Sequence, residues 1–176
     1  MHKHSICVLS MLCGIWIAPT VTSGQDSPEG KRRFVVTKIW DCAPHNAFTD
    51  LVRWNGRFYC TFREGAKHVH GDDGKVRVIS SADGKAWESV ALFQEKGIDL
   101  RDPKLSVTPD GRLMVLMGGS YYQNRLLMRR LPRVAFFESD GKPPTETVPV
   151  AIDKKIASEN DWLWRVAWHE GVGYGT

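Results

Sequence analysis

The sequence predicts an all-β fold, a β-propeller, because two different features repeat with one period. The first is the turn Ser81-Ala82-Asp83-Gly84-Lys85-Ala86-Trp87, which follows the strand-like Val76-Arg77-Val78-Ile79. Its serine hydroxyl and aspartate carboxylate suit backbone N–H groups within the turn, Gly84 supplies a positive φ, and Trp87 closes the hairpin by packing beneath it. An eroded copy, Ser139-Asp140-Gly141-Lys142, follows Val134-Ala135-Phe136-Phe137 about 57 residues later. The second feature is an apolar segment broken by a glycine turn, found at 51–59 around Gly56, at 105–115 around Gly111 and at 166–174 around Gly171. These glycines step by about 55 and 60 residues, the same period. Each unit reads as an inner hairpin, a polar loop and an outer hairpin, which is a four-stranded blade.

Taken in order, the chain opens with residues 1–23 patterned as a secretory signal peptide. His2-Lys3-His4 is the basic region, 6–18 the apolar region, and Thr20-Val21-Thr22-Ser23-Gly24 the small-residue site, with cleavage near Ser23 or Gly24. The apolar run is too short for a stable membrane span. Export to a secreted or periplasmic location follows, and residues 24–33 are a charged, flexible lead-in. Residues 34–176 carry the repeats. They amount to two units and the opening hairpin of a third, about two and a half blades, whereas a closed ring takes about four to eight. The expectation is an N-terminal fragment whose C-terminal blades are missing.

Composition narrows the function. Lys and Arg number 24 against 20 Asp and Glu, a net charge of +4 that is too small to argue for nucleic acid. The basic run Arg125, Arg129, Arg130 and Arg133 beside Tyr121 and Tyr122 reads as a solvated loop between strands. Cys42 and Cys60 could bridge in an oxidising compartment, but Cys60 sits in the apolar strand Phe58-Tyr59-Cys60-Thr61-Phe62 and reads as a small buried thiol. His68 and His70 lie two apart with no thiol pair near, so no metal site and no cofactor is expected.

Ligands of a propeller bind at one mouth of its central channel, so polar residues of the inner strands are the first candidates. They are His45 and Asp50 before the first glycine turn, Arg63 and Glu64 after it, Arg101 and Asp102 in the second unit, and Arg165 in the third. Three arginines on successive units suit a shared acidic group, because a guanidinium fork matches a carboxylate. An Arg–Asp pair that caps a strand end, such as Arg101 with its neighbours, is the structural alternative.

The order of Phe62-Arg63-Glu64-Gly65, the acidic loop His70-Gly71-Asp72-Asp73-Gly74 and the 81–87 turn resembles the sialidase (neuraminidase) superfamily, whose Asp-box or BNR repeat has the form S-x-D-x-G-x-T-W. The turn here is one residue shorter and has Ala86 where the family usually has Thr. The resemblance implies a six-bladed propeller when complete and an exo-glycosidase that removes terminal sialic acid or a related acidic sugar. It implies Asp72 or Asp73 as acid/base and Arg63 as the early-blade arginine, with Arg101 and Arg165 as counterparts on later blades, toward a carbohydrate or glycoconjugate substrate; Asp50 joins the substrate-binding candidates by its inner-strand position. The family's tyrosine nucleophile is an exception to the two-carboxylate scheme, and it would lie beyond Thr176. The Arg-Ile-Pro signature is replaced by Phe48-Thr49-Asp50-Leu51, with Thr49 at the leading arginine. The chain by itself is therefore expected to be inactive, and a non-catalytic carbohydrate-binding propeller or scaffold is the alternative.

Overall fold

A computed structural model describes residues 34–70, 74–158 and 161–176. The predicted signal peptide, the lead-in and the two acid/base candidates, Asp72 and Asp73, lie outside the described residues. The chain divides into two units, Met1–Lys38 and Ile39–Thr176. In the first, the described residues 34–38 form no regular secondary structure, and Phe34, Val35 and Val36 are exposed.

The second unit is all-β, with antiparallel pairing throughout. A four-stranded meander comes first: β1 (His45–Trp54), β2 (Arg57–Gly65), β3 (Lys75–Ser81) and β4 (Glu88–Phe93). The second sheet holds β5 (Asp99–Val107), β6 (Leu113–Gln123), β7 (Leu126–Arg130), β8 (Arg133–Phe137) and β9 (Val148–Pro149). Its order is β5-β6-β8-β9, with β7 paired to the far end of β6. A hairpin of β10 (Val166–His169) and β11 (Val172–Gly175) completes the described strands. Asn55-Gly56 and Glu170-Gly171 turn two of the hairpins with positive φ at both residues, the geometry that matches strand twist in a two-residue turn. The basic run at 125–133 is not a loop. Arg129 and Arg130 lie on β7 and Arg133 on β8, because Asn124-Arg125, also at positive φ, folds the strand back on β6.

The 81–87 turn forms as its residue types demand. Ser81 Oγ accepts from Gly84 N at 2.8 Å, and Asp83 Oδ1 accepts from Lys85 N at 2.8 Å and Ala86 N at 3.0 Å. Those backbone donors hold the Asp83 carboxyl below its ordinary range. Gly84 has φ 74°, and Trp87 Nε1 donates to its carbonyl at 3.1 Å. The indole is only half-buried, packing at the edge of a small cluster of Cys60, Phe62 and Ile79 rather than fully beneath the turn. The same chemistry recurs at Thr108-Pro109-Asp110-Gly111, where Thr108 Oγ1 accepts from Arg112 N at 3.0 Å and donates to Asp110. In the eroded copy, Asp140 turns away from its own loop to accept from the Tyr59 hydroxyl on the first sheet.

That contact belongs to the main core. The inward faces of β2, β3, β5, β6 and β8 alternate Tyr59, Val76, Val78, Leu100, Leu105, Leu113, Val115, Met117, Ala135 and Phe137, so both sheets bury one continuous apolar cluster. Trp54, Tyr59 and Phe137 meet at ring-centroid distances of 5.3, 6.0 and 6.4 Å. Cys60 is buried as expected, Cys42 is exposed, and both are free thiols.

Burial, helped by Asp140, pushes the Tyr59 phenol up to about 12 from 10.0. Because the folded value lies above the unfolded one, this stabilisation is complete below pH 10 and is lost as pH rises toward about 12. The loss amounts to at most roughly 3 kcal/mol. The Cys60 thiol, pushed by burial up to about 11, titrates in an overlapping window, so the comparison must isolate the tyrosine. Urea midpoints at pH 9 and pH 11.5 are expected to fall farther for the parent chain than for Tyr59→Phe, and equal falls would remove Tyr59 from the account.

Candidate functional site

Seven residues other than glycine have positive φ among the described residues, and their positions separate into two kinds. Asn55, Asn124, Arg125 and Glu170 sit in tight hairpin turns that require it. Phe48 (φ 62°), His70 (φ 63°) and Asp102 (φ 49°) do not. A bulky aromatic in this region is strained, and so is Asp102, whose next residue is Pro103. Phe48 lies where the β1–β2 register slips between Ala47 and Asp50, and Asp102 where the β5–β6 register slips between Arg101 and Lys104. The two irregularities meet at one guanidinium.

Arg101 is that group. Its Cζ lies 5.1 Å from the Phe48 ring centroid, its Nε donates to Asp102 Oδ2 at 3.0 Å, and its Nη1 reaches the Tyr122 hydroxyl at 3.5 Å. The His70 ring stands edge-on to Tyr122 at 6.2 Å. On the other side His68 contacts Phe48 at 5.2 Å and His45 at 5.3 Å. Arg101, with a side chain 10% exposed, thus sits in a small recess walled by two aromatic rings and histidines from β1, the 66–74 loop and β6. His45 Nδ1 is buried and has no hydrogen-bond partner among the described residues. Buried nitrogens without acceptors are uncommon and mark places where water or a ligand completes the bonding.

Beneath the recess lies an ion pair that holds the loop. Arg63 Nε donates to Asp99 Oδ1 at 2.7 Å with both side chains fully buried, and Arg63 Nη1 donates to the Lys67 carbonyl at 2.8 Å. Arg101 approaches the other Asp99 oxygen at 3.6 Å. The loop leaves β2 at Gly65 and enters β3 after Gly74, and both glycines are needed for space. A Cβ at Gly65 would stand 2.6 Å from Arg63 Nη1, and one at Gly74 would stand 2.8 Å from Arg63 Nε and overlap the Asp99 carboxylate. The Gly74 carbonyl also accepts from Leu100 N at 3.1 Å, which fastens the loop base to β5. Gly74→Ala is expected to cost about 1–3 kcal/mol by overpacking, read as a lower urea midpoint. In an Asp99→Ala background the same substitution should cost less, because the carboxylate it overlaps is gone and only the Arg63 Nε contact remains, and an undiminished cost there would argue against the close approach.

The three predicted arginines do not converge on one point. Arg63 and Arg101 meet at Asp99, whereas Arg165, nearly half exposed, donates to Asp50 Oδ1 at 2.8 Å. The other Asp50 oxygen accepts from Leu105 N at 2.8 Å. Asp50 thereby joins β1, β5 and the segment before β10, and both its oxygens are engaged in structure rather than offered to a ligand. Glu64 is likewise occupied, accepting from Trp40 Nε1 at 2.7 Å and from Arg77 at 2.9 Å. Ser81, Asp83, Gly84 and Trp87 make the structural turn described above. Among the described residues no group of His, Cys, Asp and Glu is arranged to hold a metal ion.

Sequence reasoning missed Asp99, Phe48 and Tyr122. Asp99 was hidden because 95–98 reads as a turn and the strand starts at the aspartate itself. A usable signal existed in Gly65 and Gly74, which bracket the histidine-rich loop immediately after a buried arginine. No family model matches this chain, and no curated protein matches it. A crystal structure of a protein of unknown function from Dyadobacter fermentans DSM 18053 superposes with a TM-score of 0.49 at 19% identity, covering 59% of this chain and 36% of that one.

Proposed function

We propose that the chain is part of an exported, sialidase-type β-propeller that recognises an acidic sugar of a carbohydrate or glycoconjugate at Arg101. The observation that carries the reading is the gathering of Phe48, His70 and Asp102, all in left-handed conformation, around one recessed guanidinium. Strain that no turn requires is kept where a site has to be shaped. The Arg101 guanidinium and the His45 imidazole supply donors, and the Phe48 and Tyr122 rings supply flat walls for the C–H face of a sugar ring. The spacing of the units and the 81–87 turn support the propeller architecture.

Recognition without hydrolysis is the form the site favours. Arg63 and Asp50 are consumed by internal contacts, which leaves Arg101 as the one arginine of the predicted set in the recess. Hydrolysis is the second reading, motivated by Asp72 and Asp73 in the loop that Arg63 anchors. Titration with N-acetylneuraminic acid followed by NMR is expected to shift Arg101 and Tyr122 signals, and Arg101→Ala to abolish the shifts while circular dichroism stays unchanged. A fluorogenic sialoside is expected to give no turnover. Undiminished sugar binding by Arg101→Ala would sink the assignment, and turnover lost in Asp72→Asn/Asp73→Asn would move it to the hydrolytic reading.

A further inference from the structure

We propose that the β6–β7 arm is a docking element for an anionic lipid surface. The arm begins where β6 passes the end of β8. Residues Leu113–Met117 of β6 pair with β8 and Ser120 still pairs with β5, whereas Tyr121–Gln123 pair only with β7. Side chains of a strand alternate between faces, so a strand lying on a core hides every second one. β7 hides none of its first four. Leu126 is 67%, Leu127 38% and Met128 44% exposed, and Arg129 is exposed as well. Both faces of β7 stand in solvent, with three consecutive apolar side chains next to the tip of the ribbon. The tip is a tight turn, Asn124 (φ 49°) and Arg125 (φ 67°), so the apolar residues are presented on a fixed ribbon.

Charge selects the partner. From Gly111 to Phe137 the sequence has five arginines and no aspartate or glutamate. Arg112 and Arg133 are paired with carboxylates of Asp110, Glu138 and Glu95, and Arg130 lies over the Trp162 ring. Arg125 and Arg129 at the exposed end have no carboxylate partner among the described residues. Arginines without a carboxylate beside leucine and methionine, with Arg129 over the Tyr121 ring at the base, match an interfacial element. The apolar side chains enter the headgroup boundary, the guanidiniums meet lipid phosphates, and the Tyr121 phenol sits at headgroup depth. A soluble polyanion would use the arginines but gain nothing from Leu126 and Met128.

The test is co-sedimentation of the full chain with vesicles of phosphatidylglycerol and phosphatidylcholine in equal parts, and with phosphatidylcholine alone. Binding is expected to the mixed vesicles, and to weaken sharply in high salt. Arg125→Gln/Arg129→Gln should reduce it roughly 30-fold, the effect of two arginines at an anionic surface. Leu126→Ser/Met128→Ser should reduce it as well, at unchanged charge. These side chains are exposed, so the variants are expected to keep the parent urea midpoint. The proposal is overturned if the parent chain does not sediment with the mixed vesicles. It is equally overturned if all variants sediment like the parent, which would place the contact elsewhere, such as the apolar run at 6–18. Loss with the arginine pair, no loss with Leu126→Ser/Met128→Ser, and competition by dextran sulfate would identify a polyanion site instead.

Discussion

Asp99→Asn is expected to destabilise the Ile39–Thr176 unit by about 3–5 kcal/mol, the range for breaking a buried ion pair from one side. The cause is the charge left behind. Arg63 is fully buried, its Nε loses the carboxylate at 2.7 Å, and its Nη2 already lacks an acceptor among the described residues. A neutral amide can accept one hydrogen bond there but cannot offset a desolvated guanidinium. Arg63→Met combined with Asp99→Leu should recover much of the loss, since an apolar pair of similar volume is often as stable as a buried ion pair. Urea unfolding of Arg63→Met, Asp99→Leu and the double variant closes the cycle. A cost below about 1 kcal/mol for Asp99→Asn, the range typical of exposed pairs, would show that water reaches the pair.

Trp54→Ala should cost a comparable 3–5 kcal/mol, the range for truncating a buried large aromatic. Trp54 is 4% exposed, contacts Tyr59 and Phe137, and donates from Nε1 to the Gly111 carbonyl at 2.7 Å. It is therefore both core filler and a tie from the end of β1 to the β5–β6 turn. Trp54→Phe keeps most of the apolar contact and removes the donor, which should cost about 1–2 kcal/mol. If Trp54→Ala and Trp54→Phe lost equal stability, the hydrogen bond rather than the packing would be the dominant contribution.

What could be read from the residues was what neighbours in sequence determine. Ser81, Asp83 and Gly84 bond within five residues of one another, so their turn is encoded locally, and the positions of Gly56, Gly111 and Gly171 marked hairpins for the same reason. The fate of a charged side chain was not local. Asp99 meets Arg63 across 36 positions, and Arg165 meets Asp50 across 115. Neither pairing leaves a trace in spacing, because the partner is chosen by how two sheets abut. Phe48 escaped notice for a further reason: its left-handed conformation contradicts the preference of its own residue type, so propensity argues against the geometry that makes it useful. Trp87 shows the milder case, in which the right contact forms at the edge of a cluster instead of its centre.

The arrangement at the loop base has a consequence for how this chain tolerates genetic change. Arg63, Gly65, Gly74 and Asp99 interlock so closely that a methyl group at either glycine meets the guanidinium. The four codons are consequently expected to behave as one heritable character. A drifting lineage can keep all four or abandon the salt link and then fill the glycines, but the intermediate states, with the ion pair intact and an alanine in place of glycine, lie across a fitness valley. Among homologues, the pattern Arg-x-Gly, a short insert, Gly, and a distant Asp should thus be inherited whole or lost whole.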